Sequence, residues 1–106
     1  MTAKITRKYL LKHFVDENTE FWAFFIRGMY SFDDVNYNSF YFIVVLYENE
    51  LPSNNDTINR TTLYDALGTK ISNMLLTLEK NPKKFYDDCN DSVKNYSLLK
   101  TKYNIR

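Results

Sequence analysis

The sequence predicts a small α+β protein in which an antiparallel β-hairpin packs with amphipathic helices. Eleven of the eighteen aromatic residues lie between Phe21 and Tyr47, a density typical of a hydrophobic core or an interface. From residue 62 to residue 103, apolar side chains recur at spacings of three and four, which indicates helices. The chain has 106 residues, 44% of them hydrophobic and 25% charged, which predicts one domain, residues 1–106, with a single core.

The first predicted element is a short N-terminal helix over residues 4–15. Thr6 can act as its N-cap, and the flanking Ile5 and Leu10 are spaced for the hydrophobic staple that often fixes a helix start. A polar break at residues 16–18 ends the pattern. Two basic residues in the first turn oppose the helix macrodipole and weaken this prediction.

The antiparallel β-hairpin is predicted at about residues 20–30 and 39–48. Residues 40–47 form an uninterrupted apolar run rich in β-branched and aromatic side chains, as in a buried strand. The segment between the two strands contains Asp and Asn residues that suit a turn. Residues 21–29 also fit a helix, because apolar side chains recur there at i, i+3, i+4 and i+7, so an all-α bundle is the alternative fold.

Two C-terminal amphipathic helices are predicted at about residues 62–80 and 82–103. The first carries an apolar stripe at Leu63, Leu67, Ile71, Leu75 and Leu78. Asn81 can cap the second, with Pro82 at its first helical position. The apolar face of that second helix contains Phe85, Cys89, Val93, Tyr96 and Leu99.

The residue inventory argues against catalysis and against a resident cofactor or metal. His13 is the only histidine and Cys89 the only cysteine, too few to provide the ligands of a zinc site. Cys89 falls on an apolar stripe, where a buried and unreactive thiol is expected. Two glycines do not make a phosphate-binding loop. We therefore expect a non-enzymatic protein with no catalytic, cofactor-binding or metal-binding residues.

Composition also bears on location and origin. The longest apolar run, residues 40–47, is far shorter than the roughly 20 residues that a membrane-spanning helix needs. The first residues lack the apolar segment of a signal peptide, and a single cysteine cannot form an internal disulfide, so we expect a cytoplasmic protein without a membrane partner. Asn, Lys, Tyr, Phe and Ile make up 45 of 106 residues, and their AT-rich codons suggest a low-GC genome and a phage or mobile-element accessory protein acting in the host cytoplasm.

Charge is unevenly distributed along the chain although its sum is only +1. Residues 14–59 carry a net charge of −7, whereas residues 1–13 and 60–106 each carry +4. The aromatic surplus and the acidic middle predict a protein that inhibits or modulates a host protein by occluding its functional site, and the same surplus predicts a homodimer. The predicted partner-binding residues are four aromatic anchors and four acidic residues around them: Trp22, Tyr37, Tyr41, Tyr47, Asp33, Asp34, Glu48 and Glu50.

The alternative function is a nucleic-acid-binding regulator that uses the basic N- and C-terminal helices. The low overall charge argues against it, because dedicated nucleic-acid binders are strongly basic. If the two chain ends lie side by side, their cations would form one basic surface for phosphates. The residues predicted for this role are Arg7, Lys8, Lys12, Lys94, Lys100, Lys102 and Arg106.

Overall fold

The computed structural model describes residues 2–31, 37–51 and 60–105 and shows an α+β fold. A three-stranded antiparallel sheet, in the order β1-β2-β3, is followed by a short 3₁₀ turn (Glu48–Glu50) and two helices. The strands are β1 (Thr2–Asp16), β2 (Thr19–Ser31) and β3 (Tyr37–Tyr47), and the helices are α1 (Arg60–Lys80) and α2 (Pro82–Lys102). The predicted hairpin and both C-terminal helices are confirmed, and the sheet excludes the all-α alternative.

The predicted N-terminal helix is wrong, because residues 2–16 form strand β1. Its partners are far away in sequence: the ring of Tyr9 stacks on that of Phe25 at 5.2 Å, and β1 pairs with β2 along its whole length. Register shifts at Thr6 and Leu11 interrupt the period-two alternation that would have indicated a strand. Thr6 does not cap a helix, since its hydroxyl donates a hydrogen bond to the Arg27 carbonyl at 3.3 Å.

The hydrophobic core lies between one face of the sheet and the helices. Alternate residues of β2 and β3 point into it, which follows from the period of two in a strand. Phe85 of α2 packs edge-on against Phe40 of β3, with ring centroids 5.0 Å apart at an angle of 88°. The fully buried side chains include Phe24, Ile26, Phe42, Leu46, Leu67, Leu78 and Phe85.

Helix α2 extends from this face of the sheet, past the edge strand β3, to the opposite face. It begins as predicted, with the Asn81 side chain accepting a hydrogen bond from the Lys84 N–H at 3.2 Å. Near its other end, the ring of Tyr103 lies 4.9 Å from that of Phe14 on the far side of the sheet. Asn104, at φ 53°, and the 2.8 Å bond from the Ile105 N–H to the Lys100 carbonyl then close the helix in a Schellman motif.

In the described part of the chain, Tyr103 covers one end of the far side of the sheet, where its ring packs against those of Phe14 and Phe21. We call the rest of this side the open face. It contains the residues of β1, β2 and β3 that point away from Phe40 and Phe42, from the Lys4–Met29–Ser39 row to the Lys12–Ala23–Val45 row.

Candidate functional site

The structure separates the predicted aromatic anchors. Trp22 is only 5% exposed and belongs to the core, with its ring 4.7 Å from that of His13. Tyr41 and Tyr47 lie on the opposite side of the sheet from Trp22. Tyr47 is half-buried, with its ring 5.8 Å from that of Phe21, whereas Tyr41 is 53% exposed. Of these three anchors, Tyr41 alone presents most of its side chain to solvent.

Two of the four predicted acidic residues, Glu48 and Glu50, are described, and both lie beside Tyr47. Glu50 is held within the chain, because its carboxylate accepts a hydrogen bond from the Tyr47 N–H at 3.1 Å and pairs with Lys70. Glu48 is exposed in the same 3₁₀ turn. Burial raises the pKa of Tyr47, as do the nearby Tyr103 and Glu50 to a smaller degree. Asp33, Asp34 and the side chain of Tyr37 lie outside the described residues.

The predicted basic residues divide between the two sides of the sheet. Arg7 and Lys12 project from the open face of β1, whereas Lys8 projects from the other face, where its ammonium group lies 5.9 Å from the Tyr64 ring. On α2, Lys94 and Lys100 are exposed, and Lys102 lies beside β3. Arg106 lies outside the described residues.

A continuous row of aromatic rings crosses all three strands of the open face. The Tyr9 ring stacks on that of Phe25, and the Phe25 ring stacks on that of Tyr41 at 5.9 Å and 19°. Tyr9 is 41% exposed and Tyr41 is 53% exposed. The row ends in Tyr41 on β3, and its Tyr9 end is partly covered by the Arg7 guanidinium, 5.0 Å from the ring.

Four cations surround this row. The strand register places Arg7 directly opposite Arg27, and Arg27 opposite Tyr41, while Lys4 and Lys12 lie on either side along β1. Within the described residues, none of these four cations has an ion-pair partner. We call the whole set the basic aromatic face: Lys4, Arg7, Tyr9, Lys12, Phe25, Arg27 and Tyr41.

The electrostatics of the basic aromatic face are uniform. From the Lys4–Met29–Ser39 row to the Lys12–Ala23–Val45 row, no strand residue on the open face is acidic. Like charges directly opposite each other destabilise a sheet, so the Arg7–Arg27 pair costs stability unless an anion lies between them. The arrangement suits a ligand that brings both negative charge and flat rings.

Sequence reasoning missed Lys4, Tyr9, Phe25 and Arg27 as site residues. The predicted N-terminal helix would place Arg7 and Tyr9 about 200° apart around its axis, whereas a strand puts them on one face. Within β2, exposed Arg27 and Met29 alternate with buried Ile26, Gly28 and Tyr30. The signal in the sequence is Arg27, the one charged residue of the apolar run 21–30.

A groove lies beside the basic aromatic face, between β3 and the second half of α2. Its volume is about 440 Å³, and its lining includes Ile43 and Val45 of the sheet. The helix contributes Asn95, Leu98, Leu99 and Lys102. Leu98 is 67% exposed, so a large apolar side chain lies at the groove with most of its surface in solvent.

The remaining chemistry-bearing side chains are held in structural contacts. His13 and Glu20 are paired across β1 and β2, with Nε2 and Oε1 3.0 Å apart. Burial, with a smaller effect of Asp88, raises the pKa of the Cys89 thiol to about 12, so it is neutral near pH 7 and a poor nucleophile. In the described part of the chain, no three His, Cys, Asp or Glu side chains cluster as around a metal ion, and neither helix is long and apolar enough to cross a membrane.

Comparisons with protein-family models, with curated proteins and with solved structures found no match to this chain. Its function is therefore inferred from the surfaces of the molecule itself.

Proposed function

We propose that this protein is a non-enzymatic nucleic-acid-binding protein whose site is the basic aromatic face. The observation that carries the proposal is the row of Tyr9, Phe25 and Tyr41 across three strands, surrounded by cations that have no ion-pair partner among the described residues. Arg and Lys side chains attract phosphates, and exposed aromatic rings stack on bases regardless of sequence. Nucleic acid carries both phosphates and flat bases, and within one nucleotide the two lie a few ångströms apart.

The cross-strand arginines support an anionic ligand in particular. Arg7 and Arg27 are both exposed, face the same side and lack an acidic neighbour among the strand residues of that face. A phosphate between them would relieve their repulsion and accept hydrogen bonds from both guanidinium groups. The overall charge of +1 means that such binding depends on this local surface rather than on a basic molecule as a whole.

The host-protein inhibitor, its mobile-element origin and the homodimer remain predictions. We rank nucleic acid first because Trp22 lies in the core and Glu50 is bonded within the chain, so these members of the predicted protein-binding set are not available on one surface. Tyr41 belongs to the predicted protein-binding set and also to the basic aromatic face, where the strand register places it opposite Arg27.

Binding of labelled DNA and RNA oligonucleotides, followed by fluorescence anisotropy from about 50 to 200 mM salt, tests the proposal. We expect affinity to fall with salt, with a log–log slope of up to roughly −3 for four phosphate contacts to a single strand. Arg7→Gln and Arg27→Gln should each weaken binding and make that slope shallower by about one unit or less. Tyr41→Ala should lower affinity by about 5- to 150-fold, the range for loss of one stacked base.

Lys8→Gln is the matched control, because it removes the same charge from the adjacent residue on the opposite face of β1. It should leave the affinity and the salt slope close to those of the unchanged protein. Absence of binding at the lowest salt concentration, or equal effects of Arg7→Gln and Lys8→Gln, would overturn the assignment.

A further inference from the structure

The groove between β3 and α2 continues the surface of the basic aromatic face. Ile43 and Val45 follow Tyr41 at every second position of β3, so all three side chains point to the same side of the sheet. At a strand rise of about 3.3 Å per residue, Tyr41 and Ile43 are roughly 7 Å apart along β3. A ligand stacked on Tyr41 can therefore reach the groove with its next unit.

The interior of the groove suits a flat ring. Ile43 and Val45 form its floor, and Leu98 and Leu99 form an apolar wall on α2. Its volume of about 440 Å³ lies within the range of roughly 300–1,000 Å³ typical of sites for small ligands or parts of ligands. A ring that enters would cover Leu98, which is otherwise 67% exposed.

One polar side chain in the groove has free hydrogen-bonding groups. The Ser92 hydroxyl already donates to the Cys89 carbonyl at 2.7 Å and accepts from the Ile43 N–H at 3.0 Å. The Asn95 amide makes no hydrogen bond to any described residue and offers both a donor and an acceptor. Such an amide can pair with the edge of a base, and Lys102 adds a cation at the same groove for a phosphate.

We propose that this groove binds an unpaired nucleobase, so that the ligand of the protein is single-stranded nucleic acid. This inference rests on the proposed function and adds the ligand class to it. A base in a duplex has its faces stacked and its Watson–Crick edge occupied, and it must leave the helix to enter a pocket. A single strand avoids most of that cost, and its bases can occupy the aromatic row and the groove in succession.

The experiment compares a short single-stranded oligonucleotide, its duplex, and single-stranded versions with one abasic residue at successive positions. We expect the single strand to bind at least about 10-fold more tightly than the duplex, because unpairing and unstacking cost a few kcal/mol. We also expect one or more abasic positions to lose about 5- to 150-fold in affinity, as when one base contact is removed.

Variants of α2 assign that loss to the groove. Leu98→Glu places a charge at the groove without disturbing the core, and it should abolish the difference between the intact and the abasic strand at the groove position. Leu76→Glu is its control, since Leu76 is 51% exposed on α1 and does not line the groove. Asn95→Ala should change the preference among homopolymers, whereas Asn90→Ala, on the exposed side of α2, should not.

The outcomes separate the two proposals. No binding of any oligonucleotide overturns both. Equal affinity for single strand and duplex, with sensitivity to Arg7→Gln but not to Leu98→Glu, overturns the groove and leaves the basic aromatic face in place. Loss of affinity in Leu98→Glu and Leu76→Glu alike would also overturn it, because added negative charge would then explain the effect.

Discussion

Gly28 and Gly68 have opposite surroundings. Gly28 lies in β2 beneath the ring of Phe40, and a Cβ built on it would lie 2.8 Å from both the ring Cε2 and the Lys4 carbonyl oxygen. Only a residue without a side chain lets the Phe40 ring approach this closely. Gly68 lies within α1, and apart from its chain neighbours and the adjacent helix backbone, no heavy atom of a described residue lies within 4 Å of the place where its Cβ would be.

The two glycines therefore predict stability changes of opposite sign. Gly28→Ala should destabilise the protein by about 1–3 kcal/mol, because the backbone carbonyl of Lys4 and the buried ring must move. Gly68→Ala should stabilise it by up to about 1 kcal/mol, the difference in helix propensity. Urea unfolding of both variants tests this. A stabilised Gly28→Ala would contradict the packing described here, and a destabilised Gly68→Ala would show that α1 meets another surface at that position.

Arg27 shows how a residue acquires its role from its neighbours. In the sequence it is the only basic residue of the acidic stretch 14–59, where it suggests nothing about function. The register of the sheet places it opposite Arg7 and Tyr41 and makes it the centre of the basic aromatic face.

At the scale of elements, the outer edge of β3 is closed by side chains of the elements that follow it. The Ile43 N–H donates to the Ser92 hydroxyl at 3.0 Å, and the Tyr47 N–H donates to the Glu50 carboxylate at 3.1 Å. The Lys70 ammonium group donates to the Val45 carbonyl at 3.0 Å. These three backbone groups are thus occupied and cannot pair with another strand.

Edge strand β1 is protected in a different way. It carries lysines at positions 4, 8 and 12 and register shifts at Thr6 and Leu11. Charged side chains and bulges both disfavour the addition of a further strand to a sheet edge. The two edges of this small sheet are therefore protected against strand addition by different physical means.

Substitutions that remove the side-chain hydrogen bonds to β3 should leave backbone groups at its outer edge free to pair with another strand. Ser92→Ala should cost about 0.5–1.5 kcal/mol, because the Ile43 N–H loses its partner. Combined with Lys70→Met, which also frees the Val45 carbonyl, it should make the protein associate at high concentration, as measured by light scattering. Ser97→Ala with Lys80→Met is the control pair, since both side chains are exposed on the same helices. An unchanged solution mass of the Ser92→Ala, Lys70→Met variant would show that these hydrogen bonds do not prevent association through the β3 edge.

At the scale of the whole molecule, the fold brings parts of both basic ends of the chain to one side. Tyr103 of the C-terminal segment packs against Phe14 of β1, and Lys102 lies beside the same side of the sheet as Arg7 and Lys12. Arg7, Lys12 and Lys102 thus share one side of the sheet, brought there by a strand and the end of a helix rather than by two helices. Tyr103 is half-buried in this contact and is not part of the exposed aromatic row.

One cysteine thiol and three tyrosine hydroxyls have raised pKa values, and they should make the whole protein less stable at alkaline pH. Burial is the main cause of the raised pKa values of Cys89, Tyr86, Tyr47 and Tyr96, and the hydrogen bond from the Tyr86 hydroxyl to that of Tyr30 adds to the effect at Tyr86. In the unfolded chain the thiol ionises near its ordinary pKa of 9.0 and a tyrosine near 10.0. The unfolded state therefore loses these protons first as pH rises.

The expected result is a free energy of unfolding that falls steadily from about pH 9 towards pH 12, the folded pKa of Cys89 being about 12. Cys89→Val should flatten the first part of this decline, between about pH 9 and 10, because the thiol is the group that begins it. Urea unfolding across this pH range measures the slope. A slope that Cys89→Val leaves unchanged would show that the thiol does not contribute.

The α+β class, the β2–β3 hairpin, the two helices and their boundary at Asn81 and Pro82 were predicted from the sequence, with an all-α bundle as the alternative. Each depends on residues close together in the chain, where apolar period, turn residues and caps act locally. The sequence also determined the small inventory of chemistry-bearing side chains. The site could not be predicted in the same way: of its seven residues, only Arg7, Lys12 and Tyr41 were named, and for different surfaces.

That residues 2–16 form a strand, and that the basic aromatic face therefore exists, follows from pairing with β2 in three dimensions. The local pattern of this segment fits a helix, and its two register shifts hide the strand period. Pairing with β2 along the whole of β1, with contacts such as Tyr9 on Phe25, overrides the local preference, because a helix of this length has little stability without tertiary packing. Pairing across strands is a long-range interaction, and the order of residues along the chain does not reveal which side chains will share a face.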